Sequence, residues 1–150
     1  MKTPVPSAFA PELGALGLDA RSLPPIERLP PTALRGVMKL MARSLGVKCA
    51  ACHVEGDFAA VTREKNIAAR MWNEFAVKLE VAGGGPLFCD SCHQGRTVLL
   101  ARVDKKALAG WMDASFVVPL SRKDGKSTEC ETCHANMEMN LISKWAAGAL

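Results

Sequence analysis

Three times along the chain, two cysteines separated by two residues are followed at once by a histidine. Cys49, Cys52 and His53 form CAACH, Cys89, Cys92 and His93 form CDSCH, and Cys130, Cys133 and His134 form CETCH. These motifs hold all six cysteines and all three histidines of the 150 residues. Two thiols at this spacing can add to the two vinyl groups of one porphyrin. The next residue then lies under the iron, where its imidazole supplies an axial ligand. The pattern points to three covalently attached haems c, with the cysteines as attachment points and His53, His93 and His134 as iron ligands. A disulfide framework gives no reason for a histidine after every second cysteine. Zinc sites pair two CxxC units or use Cys2His2 spacing, and three motifs whose first cysteines lie at 49, 89 and 130 pair badly. A thioredoxin-like site needs a βαβ context, which the sequence lacks.

A low-spin haem needs a second axial ligand, and no histidine is left to provide it. Methionine is the usual alternative and raises the reduction potential. Met38 lies 11 residues before Cys49, Met71 lies 18 before Cys89, and Met112 lies 18 before Cys130. Each falls on the apolar stripe of the helix expected before its motif, so Met38, Met71 and Met112 are the candidate distal ligands. Methionine on such a stripe is more commonly core filler, and Met41 is the rival of Met38 one turn later. Met137 and Met139 follow His134 too closely to reach the far side of the iron and read as packing. Lysine, the N-terminal amine, water and a neighbouring subunit remain as alternative ligands.

The elements that must position these residues are helices. Leu34, Val37, Met38, Met41 and Leu45 mark a helix over 32–45, with Gly46 suited to its end. Thr62 is an N-cap for a second helix over 63–82, carrying Ile67, Met71, Phe75 and Leu79 on one face and ending at Gly83. Asp104 caps a third over 105–117, where Leu108, Trp111, Met112 and Phe116 face one way and Pro119 stops it. A fourth helix is expected after His134, with Met137, Leu141 and Trp145 inward. A short strand is expected over 97–103. Residues 1–31 hold seven of the nine prolines, which lack the N–H that helices need and restrict the residue before them. They read as an extended arm with a short helix over 11–17, able to wrap the core or dock to a partner. The expected division is an arm over 1–31 and a cytochrome domain over 32–150. The fold class is mainly α, with helices and loops packed around three porphyrins.

Composition agrees. Apolar residues make up 49% of the chain, yet it has only five Phe, three Trp and no Tyr, so porphyrins would supply the missing bulk of the core. The formal charge of +4 mostly balances ionised haem propionates, which would bring it to about +1 with ferric and about −2 with ferrous iron. It therefore suggests neither nucleic acid nor a membrane surface. No uninterrupted apolar run is long enough to span a bilayer. Pro4, Pro6 and Pro11 break the N-terminal segment, which does not read as a signal peptide. Because attachment to CxxCH takes place outside the cytoplasm, the expectation is an exported protein, periplasmic or extracellular, whose signal was removed ahead of this numbering.

The stretch LRGVMKLMARSLGVKCAACHVEGDF, followed by AARMW and FCDSCHQG, resembles the photosynthetic reaction-centre cytochrome c subunit family and its non-photosynthetic relatives. That family sets a helical methionine before an SLGV-x-CxxCH turn, then an A-R-x-M helix before the next haem. The likeness covers residues 33–95 well and the third unit more loosely. It implies Met38 and Met71 as distal ligands of the first and second haems. Members often carry four haems, one of them with two histidine ligands, so this chain departs from the full pattern. The motif also occurs in proteins unconnected with photosynthesis.

The leading function is electron transfer, with no substrate bond made or broken and with redox proteins as partners. A haem reductase or peroxidase would need an open iron position and nearby acid–base groups, and here no tyrosine or spare histidine exists. A third class is a subunit of an extracellular haem filament or a membrane respiratory complex, with the arm reaching a homo-oligomer or complex neighbour.

Overall fold

Proline chemistry sets the course of the first thirty residues. In the computed structural model, which describes residues 3–98, 105–134 and 141–146, helix α1 (Ala10–Ala15) has Pro11 in its first turn, where a missing N–H is harmless. A 3-10 turn follows at Ile26–Arg28. Helix α2 (Pro31–Leu45) likewise begins on a proline. Between these elements the arm runs extended but is not free. Leu13, Leu18, Leu23 and Leu29 are buried in one cluster with Val37, Leu40, Met41, Trp72, Ala76 and Phe88, and the Trp72 indole N–H donates to the Pro24 carbonyl at 2.8 Å.

Helix α2 buries Ala33, Val37, Leu40, Met41 and Ser44, while Met38 is 36% exposed. The stripe is thus rotated from the one that periodicity predicts, because the arm covers the Val37–Leu40–Met41 side. Gly46 ends the helix at φ +68°, and the amides of Gly46 and Val47 close on the carbonyls of Arg43 and Ala42. A Cβ at Gly46 would stand 2.6 Å from the Gly95 carbonyl oxygen, so a side chain is barred by conformation and by space.

The rest of the chain is a duplicated plan. Helix α3 (Arg63–Met71) runs into a π-helical turn (Trp72–Ala76), then strand β1 (Leu79–Val81), then helix α4 (Cys89–His93), which is the second motif. Helix α5 (Lys105–Met112) runs into a π-helical turn (Asp113–Val117), then strand β2 (Leu120–Arg122), then helix α6 (Cys130–Cys133) in the third. Val77 N–H reaches the Trp72 carbonyl at 3.0 Å, and Val118 N–H reaches that of Asp113 at 3.1 Å, the i→i−5 bond of a π turn. Strands β1 and β2 pair antiparallel, Leu79 with Arg122, Glu80 with Ser121 and Val81 with Leu120. Bonds from Ala82 N–H to Pro119 O (2.7 Å) and from Lys123 N–H to Lys78 O (3.1 Å) extend the ladder at both ends. Glu80 and Ser121 occupy equivalent positions of the two units, so a local two-fold axis passes between them. Leu79, Val81, Leu87 and Leu120 form the core of this half, flanked by Phe75, Phe116, Cys92 and Cys133. Helix α7 (Leu141–Ala146) packs on α3, its Trp145 meeting Phe75 edge-on at 6.0 Å.

The chain is mainly helical, as its sequence predicts. The helix expected over 63–82 is shorter: helical turns end at Ala76, and Leu79–Val81 is strand because it pairs with Leu120–Arg122. Residues 97 and 98 are not strand, and the remainder of the 97–103 expectation lies outside the described residues. So do Met1, Met137, Met139 and Asp104. Among the described residues no helix is long and apolar enough to cross a membrane.

Candidate functional site

Each motif folds as a single tight turn. The histidine amide bonds back to the first cysteine's carbonyl in the first motif, His53 N–H to Cys49 O at 3.0 Å, and in the third, His134 N–H to Cys130 O at 2.9 Å. The second is one continuous turn of α4. This spacing puts the first cysteine and the histidine on one face, with the second cysteine beside them. All six thiols are free. Among the described residues, which include every Cys and His, no three His, Cys, Asp or Glu side chains gather into a metal cluster. The three motifs therefore stand apart and do not pool their ligands as zinc sites do.

The tautomers of two histidines follow from their partners. His53 Nδ1 lies 3.2 Å from the Phe58 carbonyl oxygen, and His93 Nδ1 lies 2.8 Å from that of Arg96. A carbonyl can only accept, so Nδ1 carries the proton and Nε2 presents its lone pair. That is the form a haem iron requires, with the backbone bond fixing ring orientation and ligand basicity. Burial pushes the His93 pKa down, against the bond to Arg96, which favours the same neutral ring.

Four of the thiols are pushed toward the protonated form. Burial, then the Asp90 charge and Cys92, push Cys89 up to about 12. Burial and Asp90 push Cys92 up to about 12. Burial, then Glu74 and Cys130, push Cys133 up to about 11, with Arg122 opposing. Cys52 is raised by burial, Glu64 and Cys49. Paired thiols at vinyl spacing, with Nε2 available on the next residue, suit a covalently attached haem.

The predicted distal residues lie on the helices ahead of the motifs. Met71 and Met112, both half-buried, end α3 and α5, each directly before its π turn, whereas Met38 sits on the exposed edge of α2. The sequence carries no sign of the backbone acceptors at Phe58 and Arg96. Nor did it disclose how the arm holds the second motif. Ser7 Oγ–H and Ala8 N–H donate to the Asp90 carboxylate at 2.7 and 2.8 Å. Val5 N–H donates to Ser91 O at 3.1 Å, and the Gln94 amide to Thr3 O at 3.2 Å. From the other side, Gly95 N–H donates to Ser44 O of α2 at 2.8 Å.

The family model of cytochrome c7 and related cytochrome c matches residues 38–140, which take in all three motifs. The chain belongs to that family. It is accordingly a multihaem c-type cytochrome, with covalently bound haem and a role in electron transfer. The match supports this class without extending to the reaction-centre subunit resemblance. No curated protein and no solved structure matches the chain.

Proposed function

We propose that this cytochrome carries three haems, one on Cys49 and Cys52 with His53, one on Cys89 and Cys92 with His93, and one on Cys130 and Cys133 with His134. Met38, Met71 and Met112 complete the three coordination spheres. The observation that carries the reading is the engagement of His53 and His93 through Nδ1 to backbone carbonyls, which leaves Nε2 for iron. When bound, each haem supplies an iron that takes up and gives back one electron. The chain's own residues anchor and orient. The thiols fix the porphyrin edge, the carbonyls of Phe58 and Arg96 hold two imidazoles, and the arm over 1–31 clamps the second motif onto the body over 32–150. The π turns re-aim α3 and α5 directly after Met71 and Met112, and such turns are frequent at functional sites. The protein works as an electron carrier between redox partner proteins, exported to the periplasm or cell exterior where CxxCH motifs receive haem.

Intact mass under denaturing conditions tests the count. Three haem masses are expected on the polypeptide, falling by one in each Cys-pair→Ala variant. Two or fewer on the wild-type chain, made with competent attachment machinery, would refute the reading. On the same samples, Met71→Ala should keep its haem but weaken the near-infrared band of methionine-ligated ferric iron. An unchanged band would return Met71 to the core.

A further inference from the structure

Lys65 lies in the first turn of α3, where the helix dipole disfavours a cation. Its ammonium is nevertheless fixed there by three backbone carbonyls, those of Ala60 at 2.7 Å, Phe58 at 3.1 Å and Ala59 at 3.3 Å. The Phe58 carbonyl is also the one that accepts from His53 Nδ1–H, at 3.2 Å. Thr62 ties the same region to the motif, its hydroxyl donating to Cys52 O at 2.7 Å and accepting from Lys65 N–H at 3.2 Å. A cation and the histidine of the first motif thus share one acceptor. The second motif differs. His93 Nδ1–H reaches Arg96 O at 2.8 Å, and no cation among the described residues donates to that carbonyl.

We propose that Lys65 is a positioning residue that raises the reduction potential of the first site, acting through the Phe58 carbonyl on His53. Two effects act in the same direction. The ammonium draws electron density from the shared carbonyl, so His53 Nδ1–H meets a weaker acceptor and its ring is a poorer electron donor to iron. The positive charge, held close to the ring by the shared Phe58 carbonyl and anchored by the part-buried bond to Ala60 O, also favours the state with one more electron. At the second site the bond is shorter, 2.8 Å against 3.2 Å, which makes His93 the more basic ligand. The proposal rests on the reading of His53 as an iron ligand.

Spectroelectrochemical titration of the holoprotein tests it with Lys65→Met, Lys65→Gln, Lys65→Arg and Lys48→Met. Lys48 precedes Cys49 and is exposed, so it controls for loss of a nearby charge. Lys65→Met should make reduction at one site about tenfold less favourable, about 59 mV for a one-electron couple, with the other midpoints in place. Lys65→Arg should hold the wild-type midpoint, and Lys48→Met should shift it far less than Lys65→Met. Should Lys65→Met fail to fold, Lys65→Gln, which keeps a donor without charge, carries the same expectation in direction. Unchanged midpoints in a folded, fully loaded Lys65→Met or Lys65→Gln, or an equal shift in Lys48→Met, would overturn the proposal. His53→Ala separates this from failure of the underlying reading. Loss of the six-coordinate spectrum at one site upholds His53 as ligand even where Lys65 is silent, and retention of all the wild-type six-coordinate spectra removes the basis of both.

Discussion

The second and third motifs share a backbone and differ in what covers it. Both follow a helix, a π turn and a strand of the central ribbon, and both sit on the cluster around Leu79 and Leu120. Position for position, however, Trp72 answers to Asp113, Phe88 to Glu129, and Ser91 to Thr132. The residues of the second unit are buried, at 0%, 2% and 0% exposure. Asp113 and Glu129 are exposed and Thr132 half-buried. The arm and α2 close over the second motif, while the described bonds of the third remain largely within its own loop, such as Ser127 Oγ to Glu129 and Thr128 Oγ1 to Leu120 O. The difference teaches that one backbone plan, which on the proposed reading serves haem attachment, is kept in both units while the side chains decide solvent access. Solvent access is one of the levers by which a protein sets redox potentials.

Trp72→Ala against Asp113→Ala tests this most severely. Trp72 fills the joint of arm, α2 and the π turn and stacks edge-on against Phe88 at 5.9 Å. Its truncation should cost about 3–5 kcal/mol. Asp113→Ala should stay within about 0.5 kcal/mol, as exposed substitutions do. Guanidinium midpoints of the two holoproteins, followed by circular dichroism, provide the measurement. Similar losses would mean that the two units are equally dressed and the asymmetry is superficial.

Asp90→Ala against Glu131→Ala comes next. Asp90 accepts two bonds from the arm, and bonds to a charged acceptor contribute about 1.5–3 kcal/mol each at most. Since Asp90 is half-buried, water recovers part of this, and a loss of about 1.5 kcal/mol is expected. Residues 3–9 should become open to limited proteolysis. Glu131→Ala should leave the arm protected. An arm that stays resistant in Asp90→Ala would show that leucine burial alone holds it down.

How legible this was in the sequence depended on whether the cause was local. The CxxCH turns, the Gly46 stop and the Thr62 cap are local chemistry and stand where they were read. Thr62 Oγ1 accepts from Lys65 N–H as a cap should. The end of α3 was not legible. Leu79 continues the spacing of Ile67, Met71 and Phe75, and only its pairing with Arg122, far along the chain, makes it strand. The arm's prolines announced extension. Its burial through Leu13, Leu18, Leu23 and Leu29 was not legible, because their irregular spacing matches neither a helix nor a strand. The carbonyls of Phe58 and Arg96 are backbone atoms and leave no mark on composition at all.

The finest comparison lies inside the motifs. Ser91 Oγ accepts from Phe88 N–H at 3.2 Å, and Thr132 Oγ1 from Glu129 N–H at 2.9 Å, each side chain returning to the residue ahead of its own turn. In the second unit both partners are buried. Ser91→Ala therefore strands an amide that water cannot reach, which costs about 1–3 kcal/mol. In the third unit the bond is exposed, so water replaces the hydroxyl, and Thr132→Ala should cost about 0.5 kcal/mol, like other surface changes. The reverse exchange sharpens the point. Ser91→Thr forces an extra methyl into filled space and should destabilise by about 1–3 kcal/mol, while Thr132→Ser should be close to neutral. Hydrogen exchange at the Phe88 and Glu129 amides isolates the local effect from global unfolding. Protection should fall steeply at Phe88 in Ser91→Ala and only slightly at Glu129 in Thr132→Ala. Equal losses would mean that the hydroxyl bond itself, and not its removal from water, sets the strength of the turn, and the contrast between the two motifs would then reach no further than their outer surfaces.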